Sequence, residues 1–187
     1  VALGYITGLL LQGLSQGLVE KRILIPLWKG FPSERWLLPD DEHFSAAYKK
    51  RLLSLIAERF KVATEPDLPP DCPADHAHKL YLQKNREIFH LCYQHVSNAN
   101  PRPLMLNAHY GLFRCLLTMF VLLAMLALAG LVWALMAHRD QAAAFGLWTG
   151  LFALSAMIAY ARCKKRGEDF AQSVFDLFVA GGVNKLS

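Results

Sequence analysis

One long apolar run limits what this chain can fold into. Residues 116–136 contain no charged side chain, and most of them are Leu, Ala, Met, Val or Phe. As a helix with a rise of 1.5 Å per residue, the run spans about 31 Å, which matches the hydrocarbon core of a bilayer. Buried helices of soluble proteins rarely run so far without a polar face. The run therefore predicts a transmembrane helix.

A second uncharged run covers residues 141–161 and is less hydrophobic than the first, because it includes Gly, Ser and Thr. The two runs are separated by residues 137–140 alone, which leaves room for a tight turn only. We expect a transmembrane helical hairpin over 114–161, formed by helices at 116–136 and 141–161.

The first nineteen residues form a third uncharged stretch. Two glutamines, two serine or threonine residues and several glycines lower its hydrophobicity. We therefore expect residues 1–19 to form a first transmembrane or re-entrant helix. Because polar groups at membrane depth need partners, the polar side of this helix should face protein or water. At 100° per residue, this polar seam or pore lining consists of Tyr5, Gln12, Ser15 and Gln16.

The distribution of basic residues predicts the orientation in the membrane. Lys21 and Arg22 follow the stretch 1–19, and several Lys and Arg residues between 162 and 166 follow the run 141–161, whereas the hairpin turn has only Arg139 beside Asp140. Because cytoplasmic flanks are enriched in Lys and Arg, we expect residues 20–113 and 162–187 to be cytoplasmic. The expected location is a bacterial inner membrane, which the chain crosses more than once.

Composition agrees with an all-α, multi-spanning membrane protein. Hydrophobic residues make up 54% of the chain and charged residues 19%, with a net charge of +5. That balance excludes a disordered chain and makes a nucleic-acid partner unlikely on composition. The segment 20–113 has no strand pattern and predicts a small helical domain. Its helices are expected from an N-cap at Asp40 or Asp41 to about residue 60, and from about residue 75 to 97. The tail 162–187 is amphipathic and should dock on this domain.

Small residues line one side of each hairpin helix. These are Ala127 and Gly130 on the first helix, and Gly146, Gly150 and Ala153 on the second. Small residues allow close backbone approach, which drives helix association in lipid. They would close the hairpin or join subunits of a homo-oligomer, and the sequence leaves both open.

Two groups of residues are candidates for chemistry. Cys72, His76, His78 and His90 are of metal-ligating types, but their spacing matches no standard zinc pattern, so no cofactor is expected. Arg102 and His109 are separated by six residues, a spacing that resembles the R-x4-6-H signature of HEPN-type ribonucleases. The resemblance implies a histidine acid or base beside an arginine that holds phosphate.

The sequence as a whole favours a protein that acts without catalysis. We expect an oligomeric membrane sensor, scaffold or pore-type effector, such as one acting in cell defence, whose cytoplasmic domain binds a protein partner or a signal. The alternative is a membrane-tethered HEPN-like ribonuclease or a metal-dependent enzyme that uses the cytoplasmic histidines.

Overall fold

The computed structural model of the protein describes residues 8, 10–28, 30–69, 71–137 and 140–183. Its helices are a π-helix Ser15–Leu24, α1 Ile25–Trp28, α2 Pro32–Arg35, α3 Ala46–Phe60, α4 Ala74–Ser97, α5 Arg102–Met136 and α6 Ala142–Val183. No β-strand occurs within the described ranges, so the all-α prediction is confirmed.

Helix α3 begins later than the sequence predicts. Its N-cap is Ser45, whose hydroxyl accepts a hydrogen bond from the backbone N–H of Tyr48 at 3.2 Å. The prediction of a cap at Asp40 or Asp41 is wrong. The Asp41 carboxylate instead accepts hydrogen bonds from Arg35 Nε at 3.0 Å and from the backbone N–H of His43 at 2.9 Å, before the helix begins.

Helix α5 starts at a proline-rich junction and then runs straight on. The side-chain oxygen of Asn100 accepts a hydrogen bond from the backbone N–H of Arg102 at 2.9 Å. Pro103 lies in the first turn, where a missing N–H costs no helical hydrogen bond. Gly111 does not interrupt the helix. The chain therefore passes from this junction to the end of the first predicted span as one helix.

The chain divides into two compact units. The first, which we call the hairpin unit, comprises Val1–Leu24 and Ala108–Arg166. The second, the globular unit, comprises Ile25–Asn107 and Gly167–Ser187. Each unit is thus assembled from segments that are distant in sequence.

The core of the globular unit is built from α3, α4 and the C-terminal part of α6. Its buried members are Trp36, Leu37, Leu52, Ile56, Ile88, Phe89, Cys92, Val96, Ala171, Val174, Phe175 and Phe178. Phe175 is completely buried and meets the rings of Phe44 and Phe89 edge-on at 5.9 and 5.6 Å. The C-terminal segment is therefore part of this core, because its apolar side completes the packing of α3 against α4.

Helix α6 has no break where the sequence analysis placed the start of a separate tail at residue 162. It runs continuously from Ala142 to Val183, and Gly167 lies within it. Its residues up to Arg166 belong to the hairpin unit and those from Gly167 to the globular unit. At 1.5 Å per residue the helix is about 63 Å long.

Helices α5 and α6 expose most of their apolar surface. In the most apolar 18-residue segment of each helix, only 17% of α5 and 6% of α6 is buried within the protein. Large side chains such as Leu126, Trp133 and Met157 are more than half exposed. A core helix of a soluble protein would bury such residues. Both helices are long and apolar enough to cross a membrane, which makes them candidate spans.

Replacing Phe175 with Ala tests the core of the globular unit. Because truncation of a buried Phe leaves a cavity, we expect a loss of about 3–5 kcal/mol in the free energy of unfolding of that unit. Denaturant unfolding followed by tryptophan fluorescence measures it. The control is Leu68→Ala at a more exposed position in the same unit, which should cost less than about 1 kcal/mol. Equal effects of the two changes would contradict this account of the core.

Candidate functional site

The hairpin unit contains a buried ion pair. Arg114 of α5 donates a hydrogen bond from Nη1 to Oε2 of Glu20 in the π-helix. The Arg114 side chain is 8% exposed and that of Glu20 is 19% exposed. These two residues are 94 positions apart in sequence, so the pair ties the N-terminal segment to the first hairpin helix.

A second hydrogen bond fixes the guanidinium of Arg114. Its Nε donates to the hydroxyl of Ser15 at 3.2 Å, and the same hydroxyl donates to the backbone carbonyl of Gln12 at 2.8 Å. Ser15 is fully buried, and its oxygen also lies 3.6 Å from the sulfur of Cys115. Two side chains of the π-helix therefore hold one arginine of α5.

The π-helix explains why Ser15 and Glu20 reach the same arginine. In an α-helix, five residues turn by about 500°, which would place these two side chains roughly 140° apart. Because π-helical bonds join residues i and i+5, the wider turn brings them to one side. Val19 and Leu24, which are also five residues apart, are both fully buried. The wide π-helical turn thus lets the side chains of both Ser15 and Glu20 reach Arg114. π-Helical turns are frequent at functional sites.

An aromatic ring completes the environment of Arg114. The guanidinium carbon lies 5.5 Å from the ring centroid of Tyr110, one turn earlier on α5, and Tyr110 is 8% exposed. A desolvated cation–π contact of this kind is worth about 2 kcal/mol. Thr118, one turn later, donates its hydroxyl proton to the Arg114 carbonyl at 2.9 Å. We call Ser15, Glu20, Tyr110 and Arg114 the ionic centre.

The ionic centre holds the N-terminal segment against α5. Taking two charges out of water is costly, and the attraction between them offsets that cost only when the remaining donors find acceptors, as Nε does at Ser15. Loss of one partner would leave an uncompensated buried charge. The arrangement is therefore selective for one docking position of the π-helix.

Sequence analysis missed this centre. Neither Arg114 nor Glu20 was given a role there. The available signal was that Glu20 is the sole acid among the first 24 residues, directly after an uncharged stretch. An acid in that position needs a cation from another helix.

The residues of the predicted polar seam do not share one environment. Ser15 is buried in the ionic centre, whereas Gln12 and Gln16 are exposed. Tyr5 lies outside the described residues. The predicted grouping assumed an α-helical period, which the π-helix from Ser15 onward does not keep.

The small residues of the hairpin are used unequally. A Cβ atom at Gly130 of α5 would lie 2.6 Å from the Phe145 ring of α6, so a larger residue there would force that ring to shift. Ala127 is buried on α5. By contrast, a Cβ at Gly146 or Gly150 would meet nothing within 4 Å, and Ala153 on the same helix is exposed.

The candidate metal ligands are spread over the globular unit. Cys72 precedes α4, His76 and His78 lie in its first turns, and His90 follows His78 by about 18 Å along the helix axis. Among the described residues, no group of three or more His, Cys, Asp or Glu side chains is arranged to hold a metal ion.

Arg102 and His109 are both exposed on α5. Seven residues make almost two helical turns, so they lie on one side of the helix, about 10 Å apart along its axis. Within the described chain, neither side chain forms a hydrogen bond or an ion pair.

The globular unit has its own buried polar contact. Arg86 of α4 donates from Nε to the buried Glu34 carboxylate at 2.7 Å, and this hydrogen bond raises the pKa of the Arg86 guanidinium. Asn85 donates its side-chain N–H to the Glu34 carbonyl at 2.7 Å. These bonds fix α2 on α4. Cys92, deeper in the core, is kept as a thiol because burial raises its pKa to about 12.

The ionic centre predicts a large effect of Glu20→Gln. Because Arg114 would keep a buried, uncompensated charge, we expect the hairpin unit to lose about 3–5 kcal/mol of stability. The second change in Glu20→Gln/Arg114→Leu should restore most of the loss, since an apolar replacement removes the stranded charge. Unfolding in mild detergent, followed by circular dichroism, measures both, with Lys21→Gln as the exposed neighbour control. The centre has no such role if Glu20→Gln and Lys21→Gln unfold alike.

Comparison with known proteins does not assign this arrangement to a family. The chain matches no protein-family model, no curated protein and no solved structure. The functional conclusion therefore depends on the residues and contacts of this chain alone.

Proposed function

We propose that this protein is a multi-spanning membrane sensor or scaffold that acts without catalysis. In this proposal the hairpin unit lies in the bilayer, and the globular unit binds a protein partner or a signal in the cytoplasm. The observation that carries the proposal is the continuity of α6, which belongs to a candidate span at one end and to the globular core at the other.

Membrane insertion is supported by the exposed apolar surface of both hairpin helices. Aliphatic and aromatic side chains such as Leu147 and Trp148 are exposed over the length of the spans, and only the ends carry exposed charge. Water would meet this surface at a high cost, whereas lipid matches it. Backbone polar groups within both spans are satisfied inside their own helices, as hydrocarbon demands.

The orientation follows from the charges at the two ends of the spans. Lys21, Arg22 and Arg162 flank the end from which the chain leads into the globular unit, and Asp140 lies at the hairpin turn. The positive-inside rule then places the globular unit in the cytoplasm. The bacterial inner membrane is the membrane we propose.

Signal transmission would use α6 as its moving part. Four side chains of α6 are buried in the globular core, namely Ala171, Val174, Phe175 and Phe178. A partner that repacks this core must shift or rotate α6, and a continuous helix carries such a motion into the span. A change in the packing of the spans would reach the core by the same route. Transmission of this kind requires no reactive group.

Assembly into a homo-oligomer is part of the proposal. Gly146 and Gly150 form a G-x-x-x-G pair on α6 that no other helix of the described chain contacts, and such pairs allow two helices to approach closely in lipid. Oligomerisation would let a binding event in one globular unit affect several sets of spans. The enzymatic alternative would use Arg102 and His109. Within the described chain, no third side chain forms a hydrogen bond or an ion pair with the side chain of either residue.

Labelling from the two sides of the membrane tests this topology. In a background with Cys72→Ser and Cys115→Ala, single cysteines are placed at Asp140 and at Gln172, both exposed positions. We expect a membrane-impermeant maleimide to reach position 140 from outside intact spheroplasts and position 172 only after permeabilisation. Labelling of both positions from one side, or extraction of the protein by alkaline carbonate, would contradict the proposal.

A further inference from the structure

We propose that one end of the hairpin unit binds the headgroups of anionic phospholipids. The site consists of five exposed cations, which we call the cationic collar: Lys21, Arg22, Arg162, Lys164 and Lys165. This inference rests on the proposed membrane insertion and goes beyond it, because it adds a choice of lipid by headgroup charge.

The two parts of the collar lie at the same end of the hairpin unit. Lys21 and Arg22 directly follow Glu20, which pairs with Arg114. Cys163 of α6 lies within electrostatic range of that same arginine. Residues 20–22 and 162–165 therefore lie near the same arginine, although they come from distant segments.

The collar has an excess of positive charge that the hairpin unit does not neutralise. Glu20, the acid nearest to it, is already used by Arg114 in the ionic centre. Asp140 precedes α6 and lies 22 residues before Arg162. In the described parts of the chain, no collar residue takes part in a salt bridge. Glu168 follows Lys164 by one turn on α6, but no ion pair joins them. The anions for this surface must come from outside the unit.

Apolar surface continues directly from the collar along α6. Leu154, Met157 and Ile158 are more than half exposed, and Arg162 follows one turn later. A phospholipid has a matching sequence of groups, since its apolar acyl chains are followed by a charged phosphate. Lys and Arg at helix ends extend their aliphatic stems along apolar surface and place their charges at headgroup level. The surface thus matches both parts of an anionic lipid.

The match favours anionic over zwitterionic lipids. A zwitterionic headgroup offers each phosphate together with its own cation, whereas an anionic one leaves the phosphate charge available to the collar. Each juxtamembrane Lys or Arg strengthens attraction to an anionic leaflet by about fivefold in affinity. Several of them acting together therefore predict a preference on the order of tenfold or more.

Native mass spectrometry of the full chain tests this inference. The protein is reconstituted in nanodiscs of mixed phosphatidylglycerol and phosphatidylcholine with identical acyl chains, and the lipids retained after release are counted. We expect retention of phosphatidylglycerol over phosphatidylcholine. The triple change Arg162→Gln/Lys164→Gln/Lys165→Gln should reduce that preference on the order of tenfold or more.

Two control variants separate the site from general charge effects. Lys50→Gln/Arg51→Gln/Lys79→Gln removes three exposed cations of the globular unit and the same net charge, and it should keep the preference. Lys164→Arg/Lys165→Arg conserves charge and should keep it too. The inference is overturned if the control triple loses the preference equally, or if the wild-type protein retains both lipids alike.

The remaining outcomes distinguish this inference from the proposed function. A protein that enters nanodiscs but shows no headgroup preference overturns the collar and leaves membrane insertion standing. A protein that does not enter nanodiscs of either lipid overturns both. Loss of the retained phosphatidylglycerol in millimolar inorganic phosphate, but not in chloride of equal ionic strength, would show that the site binds free phosphate, which also overturns the choice of lipid.

Discussion

Both units of this protein are built on one uninterrupted helix. Up to Arg166, α6 packs in the hairpin unit, and from Gly167 it supplies the centre of the globular core. The globular core would be incomplete without it, because α3 and α4 alone leave Phe44 and Phe89 without the ring of Phe175 between them. Folding of the globular unit therefore requires the end of the same helix that begins at the hairpin turn.

The ionic centre is the second interaction that organises the molecule. Val19 and Leu24 of the N-terminal segment are fully buried, but apolar contacts are non-directional and do not by themselves select one position against α5. A buried charge pair with a serine as its third member makes that position specific, because any other register would strand Glu20 or Arg114. Use of Glu20 in this pair also leaves the neighbouring cations of the collar without an internal acid.

Sequence reasoning worked best where one strong physical effect dominates. The long uncharged runs predicted the two hairpin helices, since only a helix with an apolar environment accommodates them. The amphipathic pattern of the tail predicted that it docks on the helical domain, and Val174 and Phe178 of that segment lie in the core. In each case the prediction needed only local residues.

Sequence reasoning was wrong, or made no prediction, where contacts with other parts of the chain determine the local structure. The cap of α3 is Ser45, while the Asp41 carboxylate accepts hydrogen bonds from Arg35 and from the backbone N–H of His43. The π-helix was not predicted, because the apolar residues of this short segment fit several periods. The ionic centre joins residues 94 positions apart, and no local pattern connects them.

A spin-label scan of α6 tests the central claim most directly. In the full chain in nanodiscs, with the native cysteines replaced, labels at successive positions 158–172 report mobility and accessibility to oxygen. The account predicts one helical period of about 3.6 residues that continues through position 167 without a change of phase. High mobility at 165–168, or a loss of periodicity there, would contradict a continuous helix and with it the coupling of span and core.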